Sequence, residues 1–277
     1  MSNSWYHYCS LDAFLEIVQS GEIWLTNIFC MNDSAEHYWL RGIARGVLDR
    51  RCDGKKSVNE FLASKLFAKD DKTDLYCFCM SELRDSLGQW RGYADDGHGV
   101  AIGFSRDFLH AAEQKFLEGG LWLGPVVYGR GEQEGIVERI LDAAEEHHPP
   151  RAGSSLPPEM TEGLPALVAQ VKIWREAARC KNPFFAEEKE LRLIYDASMD
   201  RGGGLGQRKY RTRGGKLIPY HTLPLSPLPQ AGPPIYEVVL GPKCNREFNE
   251  PVIKKLLSDN DFDITYLNVW SSEGTYT

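Results

Sequence analysis

Two short apolar runs, Leu75–Met80 and Val100–Phe104, bracket a polar, glycine-punctuated segment, and no other spacing constrains the fold of this chain as much. Each run has the length and content of a buried strand. The segment between them has room for one helical turn, over Ser86–Arg91. Strands fix the polar groups at their ends, which makes Ser81, Trp90, Tyr93 and His98 the candidate site residues here. Trp90 and Tyr93 stand at i and i+3, a spacing that also suits two aromatics packing under a loop.

The N-terminal stretch reads strand, helix, turn, strand. Trp5–Cys9 is extended, with Tyr6 and Tyr8 on one side and His7 on the other. Ser10 caps a helix over Leu11–Ser20, with Leu11, Phe14, Leu15 and Val18 facing inward, and Gly21 stops it. Glu22–Thr26 returns as a strand, so Thr26 and Asn27 lie at its end. Asn32, Asp33 and Glu36 follow with capping-box spacing, ahead of a helix carrying Tyr38, Trp39, Ile43 and Val47. Asp33 and Glu36 serve either as caps alone or as part of a site. Ser57 and Glu60 repeat the spacing and open a helix to about Ala68.

Beyond the central stretch, Ser105 caps a helix to Leu117, Gly119 and Gly120 break it, and Leu121–Tyr128 is a strand. A polar helix spans Glu132–His147. Residues 148–160 are a proline-rich flexible connector within a single domain spanning 1–277. Thr161–Arg179 is an amphipathic helix with Leu164, Leu167, Val168, Val171 and Trp174 inward. Lys216–Leu223, Ile235–Leu240 and Asp263–Trp270 are strands, and Glu250–Asp259 a helix. Strands and helices mix without regular alternation, which predicts an α+β fold of mixed and antiparallel sheets with peripheral helices.

Charge narrows the function. The formal net charge of −7 gives no global reason to expect nucleic acid, and no apolar run is long enough to span a membrane. The seven cysteines are odd in number and scattered, which suits reduced thiols in a cytoplasm. Cys77 and Cys79 share a strand face but lack a ligand set, so zinc is not expected. Residues 201–216 form a cationic, glycine-rich loop with Arg201, Arg208, Lys209, Arg211, Arg213 and Lys216, and no acidic residue occurs from Arg201 to Tyr236. Such a loop either attracts phosphate groups or is simply solvated. From Glu188 the chain alternates in strand period, so Glu188, Glu190, Arg192 and Ile194 share a face. That face is either an exposed charge ladder or an acidic pair lining a cleft, with Arg192 offsetting its charge.

These blocks carry a resemblance over nearly the whole chain. His7-Tyr8 with its helix, Gly21, Trp24-Leu25-Thr26-Asn27 and Asn32-Asp33-x-x-Glu36 resemble the opening of a bacterial family catalogued as domain of unknown function twenty-nine seventy-one. Ser81, Trp90-x-x-Tyr93 and Gly97-x-Gly99-Val100-x-Ile102-x-Phe104 resemble its middle, and Glu188-x-Glu190-x-Arg192 with Val239-Leu240-Gly241-Pro242 its later blocks. The family name supplies no function. More distantly, the opening resembles the ADP-ribosyltransferase fold.

That second resemblance implies an NAD site. His7, with Tyr8, Thr26, Asn27, Ser81, Trp90 and Arg192 around it, would hold the cofactor. The aromatic partner of nicotinamide would be Tyr93, Trp90 or Tyr128, and the catalytic carboxylate Glu190 or Glu188. A fixed carboxylate stabilises the oxocarbenium-like transition state of N-glycosidic cleavage more than the ground state. A second carboxylate could accept the proton of the attacking group. Arg192, Arg211 or Arg213 would hold the pyrophosphate; Asn32, Asp33 and Glu36 have no counterpart in the transferase scheme and, if they face the cleft, would meet the acceptor. No Ser-Thr-Ser triplet is present on the middle strand. The expectation is an NAD-dependent ADP-ribosyltransferase acting on a nucleic-acid or protein acceptor, in a toxin or phage-defence role. A non-catalytic nucleotide- or partner-binding module is the alternative. A hydrolase using Glu188, Glu190 and Asp33, with or without a metal, is a third.

Overall fold

The computed structural model describes residues 3–31, 36–51, 74–147 and 158–276. The chain forms two compact units. One gathers Met1–Asn27, Tyr76–Pro125 and Glu187–Thr277; the other gathers Ile28–Leu75 and Val126–Ala186. Among the described residues the strands are β1 Ser4–Cys9, β2 Glu22–Asn27, β3 Leu75–Ser81, β4 Val100–Ser105, β5 Leu121–Pro125, β6 Glu190–Asp196, β7 Lys209–Arg213, β8 Lys216–Pro224, β9 Ile235–Leu240 and β10 Asn268–Ser271. The helices are α1 Leu11–Ser20, α2 Glu36–Arg51, α3 Leu87–Tyr93, α4 Arg106–Phe116, α5 Arg130–His147, α6 Pro158–Ala177 and α7 Arg246–Asp259. Asn32, Asp33, the stretch from Ser57 to Ala68 and residues 148–157 of the connector lie outside the described residues, and only the backbone of Glu36 is described. The fold is α+β.

The sheet of the first unit runs β10-β9-β4-β1-β3-β2-β8-β7, with β6 joining β3 and β5 joining β6. Pairing is antiparallel from β9 through β7, and β10 joins β9 in parallel. Alternation along the strands assigns two faces. One carries Trp5, Cys9, Ile23, Leu25, Tyr76, Phe78, Met80, Ile102, Phe104, Leu191, Leu193 and Tyr195, which pack into one buried cluster with Phe14, Ile17 and Val18 of α1. The other carries Tyr6 and Tyr8, packed with Trp90, Ala94 and Ala101 under α3, and by alternation Cys77, Cys79, Ser81, Glu190 and Arg192.

Local chemistry fixes the element ends. The Ser10 hydroxyl accepts from the Ala13 N–H at 3.2 Å, and Gly21 closes α1 at φ +62°. The inward face of α1 is Phe14, Ile17 and Val18, whereas Leu11 and Leu15 are each 39% exposed. The core stripe is thus turned toward Ile17 and away from Leu11 and Leu15 relative to the sequence pattern. β5 ends at Pro125, short of the predicted Tyr128, because proline has no N–H for the ladder. The cationic stretch is partly strand: β7 and β8 form a hairpin through Gly214 and Gly215, both at positive φ. β10 is shorter than expected, since Asp263 is engaged in a turn with the Thr265 N–H.

In the second unit α2, α5 and α6 bury Leu40, Val47, Val137, Ile140, Ala166, Ala169, Ile173 and Ala177. Gln133 is fully buried there, donating to the carbonyls of Val127 (2.6 Å) and Lys181 (2.9 Å) and accepting from the Trp39 indole (3.0 Å). Of the expected inward face of α6, Trp174 is buried, and the Leu164 side chain lies outside the described residues. Leu167 and Val171 are exposed, and the stripe Ala166–Ala169–Ile173–Ala177 is buried. Small residues there leave room for a close helix approach, which a count of leucines and valines does not reveal.

Candidate functional site

The candidate site lies on the sheet face opposite the main cluster, where β3 and β6 end near α3. Ser81, at the end of β3, is buried. Its hydroxyl donates to the Glu188 carbonyl at 2.6 Å and accepts from the Leu83 N–H at 3.1 Å. The Glu82 N–H bonds the Lys189 carbonyl at 3.0 Å. These bonds fix the backbone at Glu188. The Tyr93 hydroxyl, from the end of α3, then donates to Glu188 Oε1 at 3.1 Å. Ser86, Gly88, Gln89, Glu187 and Glu188 line a cleft of about 120 Å³ beside this contact.

Glu188 and Glu190 do not share a strand face. Residues Pro183–Glu188 form a 3₁₀ turn, and Lys189 adopts φ +43°, so the alternation begins only at Glu190. Glu188 is half-buried at the cleft. Glu190 is buried, and both its oxygens meet Arg192, at 2.7 Å from Nε and 2.9 Å from Nη2. This fork-to-carboxylate pair neutralises both charges where desolvation would otherwise be costly. Cys79 lies in its field. The hydrogen bond with Cys77, burial and the Glu190 charge together push the Cys79 thiol well above its ordinary range, so it stays protonated.

His7 stands on the opposite face. Its ring lies 4.2 Å from the Phe78 ring, in line with Trp5 and Cys9 of the main cluster. Nδ1 lies 2.8 Å from the Cys79 carbonyl, so this nitrogen carries the proton and donates. That carbonyl falls between the pairing of β3 with β1, at Ser81 and Tyr6, and its pairing with β2, at Cys77 and Thr26. His7 therefore satisfies a backbone acceptor at the gap between these two neighbours of β3. Burial lowers its pKa to about 4, with the Cys79 bond working the other way, so the ring is neutral at pH 7. The expected meeting of His7 with Glu190 is corrected: the sheet separates them.

Tyr8 and Trp90 support the site from below. The Tyr8 hydroxyl donates to the Leu83 carbonyl at 2.8 Å and accepts from the Ser86 N–H at 3.2 Å; burial pushes its pKa up. Trp90 is buried edge-on against Tyr8, 4.7 Å between centroids, and offers no open ring face. Its indole donates to Asp85 at 2.6 Å. Asp85 also accepts from the Ser272 hydroxyl and the Glu273 N–H, both at 2.7 Å, so the C-terminal segment is tied to the start of α3. Burial works against the Asp85 carboxylate, but these bonds outweigh it and hold its pKa low. Of the two aromatics of α3, Tyr93 is the accessible one, at 42% exposed. His98 is exposed and bonds the Asp95 carbonyl.

A second polar group lies on β2 and β7. Arg211 donates to the Thr26 hydroxyl at 2.8 Å and packs over Trp24 and Tyr220. Arg213 is exposed, opposite Lys216. Asn27 is buried and pairs in register with Tyr76. Sequence reasoning missed Glu237, which accepts from the Tyr6 hydroxyl at 2.8 Å and from Arg84 at 3.1 Å. No local pattern marks it, because its partners come from distant strands and loops. Among the described residues no group of three His, Cys, Asp or Glu side chains is placed to hold a metal ion.

No curated protein and no solved structure matches the chain. Residues 89–193, which include Trp90, Tyr93, Glu188, Glu190 and Arg192, match the model of a family described as "Protein of unknown function (DUF2971)", in support of the family resemblance over that stretch.

Proposed function

We propose that the chain is a nucleotide-binding protein whose site is the corner formed by Ser81, Tyr93 and Glu188. The observation that carries this reading is the Glu188 carboxylate, aimed by the Tyr93 hydroxyl at 3.1 Å beside an open cleft. An accessible carboxylate accepts ribose hydroxyls, and an exposed tyrosine ring offers a stacking face. The cleft, about 120 Å³, is below the roughly 300 Å³ at which drug-sized pockets begin. It suits a ribose or a single ring, with the rest of the ligand on the surface.

NAD-dependent ADP-ribosyl transfer to a protein or nucleic acid is the second reading. The same carboxylate favours it, since Glu188 would face the positive charge that develops on a ribose. In this form Glu188 takes the catalytic role, Glu190 and Arg192 act as a buried brace, and His7 takes no part in the chemistry.

One experiment covers both. NAD is titrated into the wild-type chain, Glu188→Gln, Tyr93→Ala and His7→Asn, and nicotinamide release is followed in the same samples. Saturable binding that weakens about tenfold or more in Glu188→Gln is expected, since hydrogen bonds to charged groups contribute about 1.5–3 kcal/mol. His7→Asn should bind as wild type. Binding without release supports the module, and release lost in Glu188→Gln supports the transferase. Absence of NAD binding, or binding indifferent to Glu188 and Tyr93, rejects the site.

A further inference from the structure

We propose that the β7–β8 hairpin is a docking surface for single-stranded nucleic acid, with Arg211, Arg213 and Lys216 meeting the phosphates. The inference stands apart from the Ser81–Tyr93–Glu188 corner. It rests on cations left without acidic partners in an acidic chain.

Lys209, Arg211 and Arg213 alternate along β7 and so share one face, at a spacing of about 7 Å. Lys216 of β8 stands opposite Arg213 on that face, as Tyr220 does opposite Lys209. Lys209 is paired with Glu22 at 2.8 Å. Among the described residues, no ion pair engages Arg211, Arg213 or Lys216, and residues 201–236 contain no acidic side chain to supply one. Arg211 is the most constrained of the three. One of its nitrogens donates to Thr26, while Nε is shielded and has no hydrogen-bond partner. Burial and the neighbouring Arg213 charge both oppose its positive charge. A phosphate laid against Arg211 and Arg213 would relieve both and accept from the guanidinium fork.

The position suits an extended ligand. β7 ends the sheet order, so among the described residues its outer edge is unpaired. The guanidinium of Arg211 lies 5.0 Å from the Trp24 ring centroid and 5.6 Å from that of Tyr220, which interleaves aromatic rings with the cations. Unstacked bases reach such rings, whereas a duplex keeps its bases in the stack. An anionic membrane is a poorer partner, because it needs apolar side chains beside the cations. Here the exposed Tyr210 and Leu217, at 60% and 72%, alternate onto the other face of the hairpin.

Binding of a fluorescein-labelled 20-nucleotide oligouridylate to the full chain, followed by anisotropy between 50 and 200 mM salt, tests the proposal. Three phosphate contacts predict a log–log salt slope of roughly −2, at about −0.7 per contact on a single strand. Arg213→Gln with Lys216→Gln should weaken binding at least tenfold at 50 mM salt and leave a slope near −0.7, with an unchanged melting curve because both side chains are exposed. A matched duplex should bind more weakly than the single strand. Vesicles containing phosphatidylserine should not co-sediment the chain. Lack of saturable binding at 50 mM salt, affinity indifferent to the double variant, or equal binding of the duplex would overturn the proposal. So would vesicle capture that the double variant abolishes, which would assign the surface to lipid.

Discussion

Single residues carry the sharpest consequences. Glu190 and Arg192 are a buried pair whose partners cannot be separated cheaply. Arg192→Met leaves the Glu190 carboxylate buried beside Cys79, and a loss of about 3–5 kcal/mol is expected in urea unfolding. A double change of Glu190→Leu with Arg192→Met should recover most of that loss, since no lone charge remains. His7 makes stability depend on pH. Its folded pKa, about 4, is below the ordinary value of 6.5, so the unfolded chain binds its proton first. The stability this histidine contributes is fully present above pH 6.5 and is lost as pH falls toward 4. A drop of roughly 2 kcal/mol between pH 7 and pH 4.5 is expected, and His7→Asn should flatten that part of the profile. A profile equally steep in the variant would show that other groups dominate.

At the level of elements, one backbone angle decides which glutamate faces the cleft. Lys189 at φ +43° ends the 3₁₀ turn and starts β6, which sends Glu188 outward and leaves Glu190 on the strand. A β-branched residue is strained there, so Lys189→Val should cost about 1–2 kcal/mol, whereas Lys189→Gly should be neutral or mildly stabilising. Urea midpoints for the two variants check this, and equal losses would mean that the lysine side chain, not the angle, matters. Gly99 is a second such point. A Cβ on it would collide with the Cys9 carbonyl and lie 2.9 Å from that of Ala94. Gly99→Ala should therefore disturb the approach of β1 to β4 and lower thermal stability by several degrees.

Across the whole molecule, the order of the strands ranks their protection. β1, β3 and β4 are internal to the sheet, whereas β7 is its end, with four of its five residues exposed. Hydrogen exchange should be slowest in peptides from β1, β3 and β4 and fastest in β7. Slow exchange in β7 of the isolated chain would mean that its edge is covered in solution. Charge is distributed with the same unevenness. A chain of net charge −7 places Arg211, Arg213 and Lys216 together on one hairpin, so an anionic partner is attracted to that edge and the effect weakens with salt.

Much of the fold was legible in the residues themselves. The Ser10 cap and Gly21 stop, the runs that became β3 and β4, and the α+β mixture follow from local propensity and apolar period, which act over a few residues. The inward stripes of α1 and α6 were not, because which side of a helix is buried depends on what lies against it. The site divides in the same way. Ser81, Tyr93 and Glu188 could be named from their sequence blocks, and they do meet. The face of the sheet on which His7 stands, the outward turn at Lys189 and the gathering of Tyr6, Arg84 and Glu237 needed the tertiary structure. Sequence period states that two neighbours on a strand point apart; only the pairing of distant strands states which of them share a side.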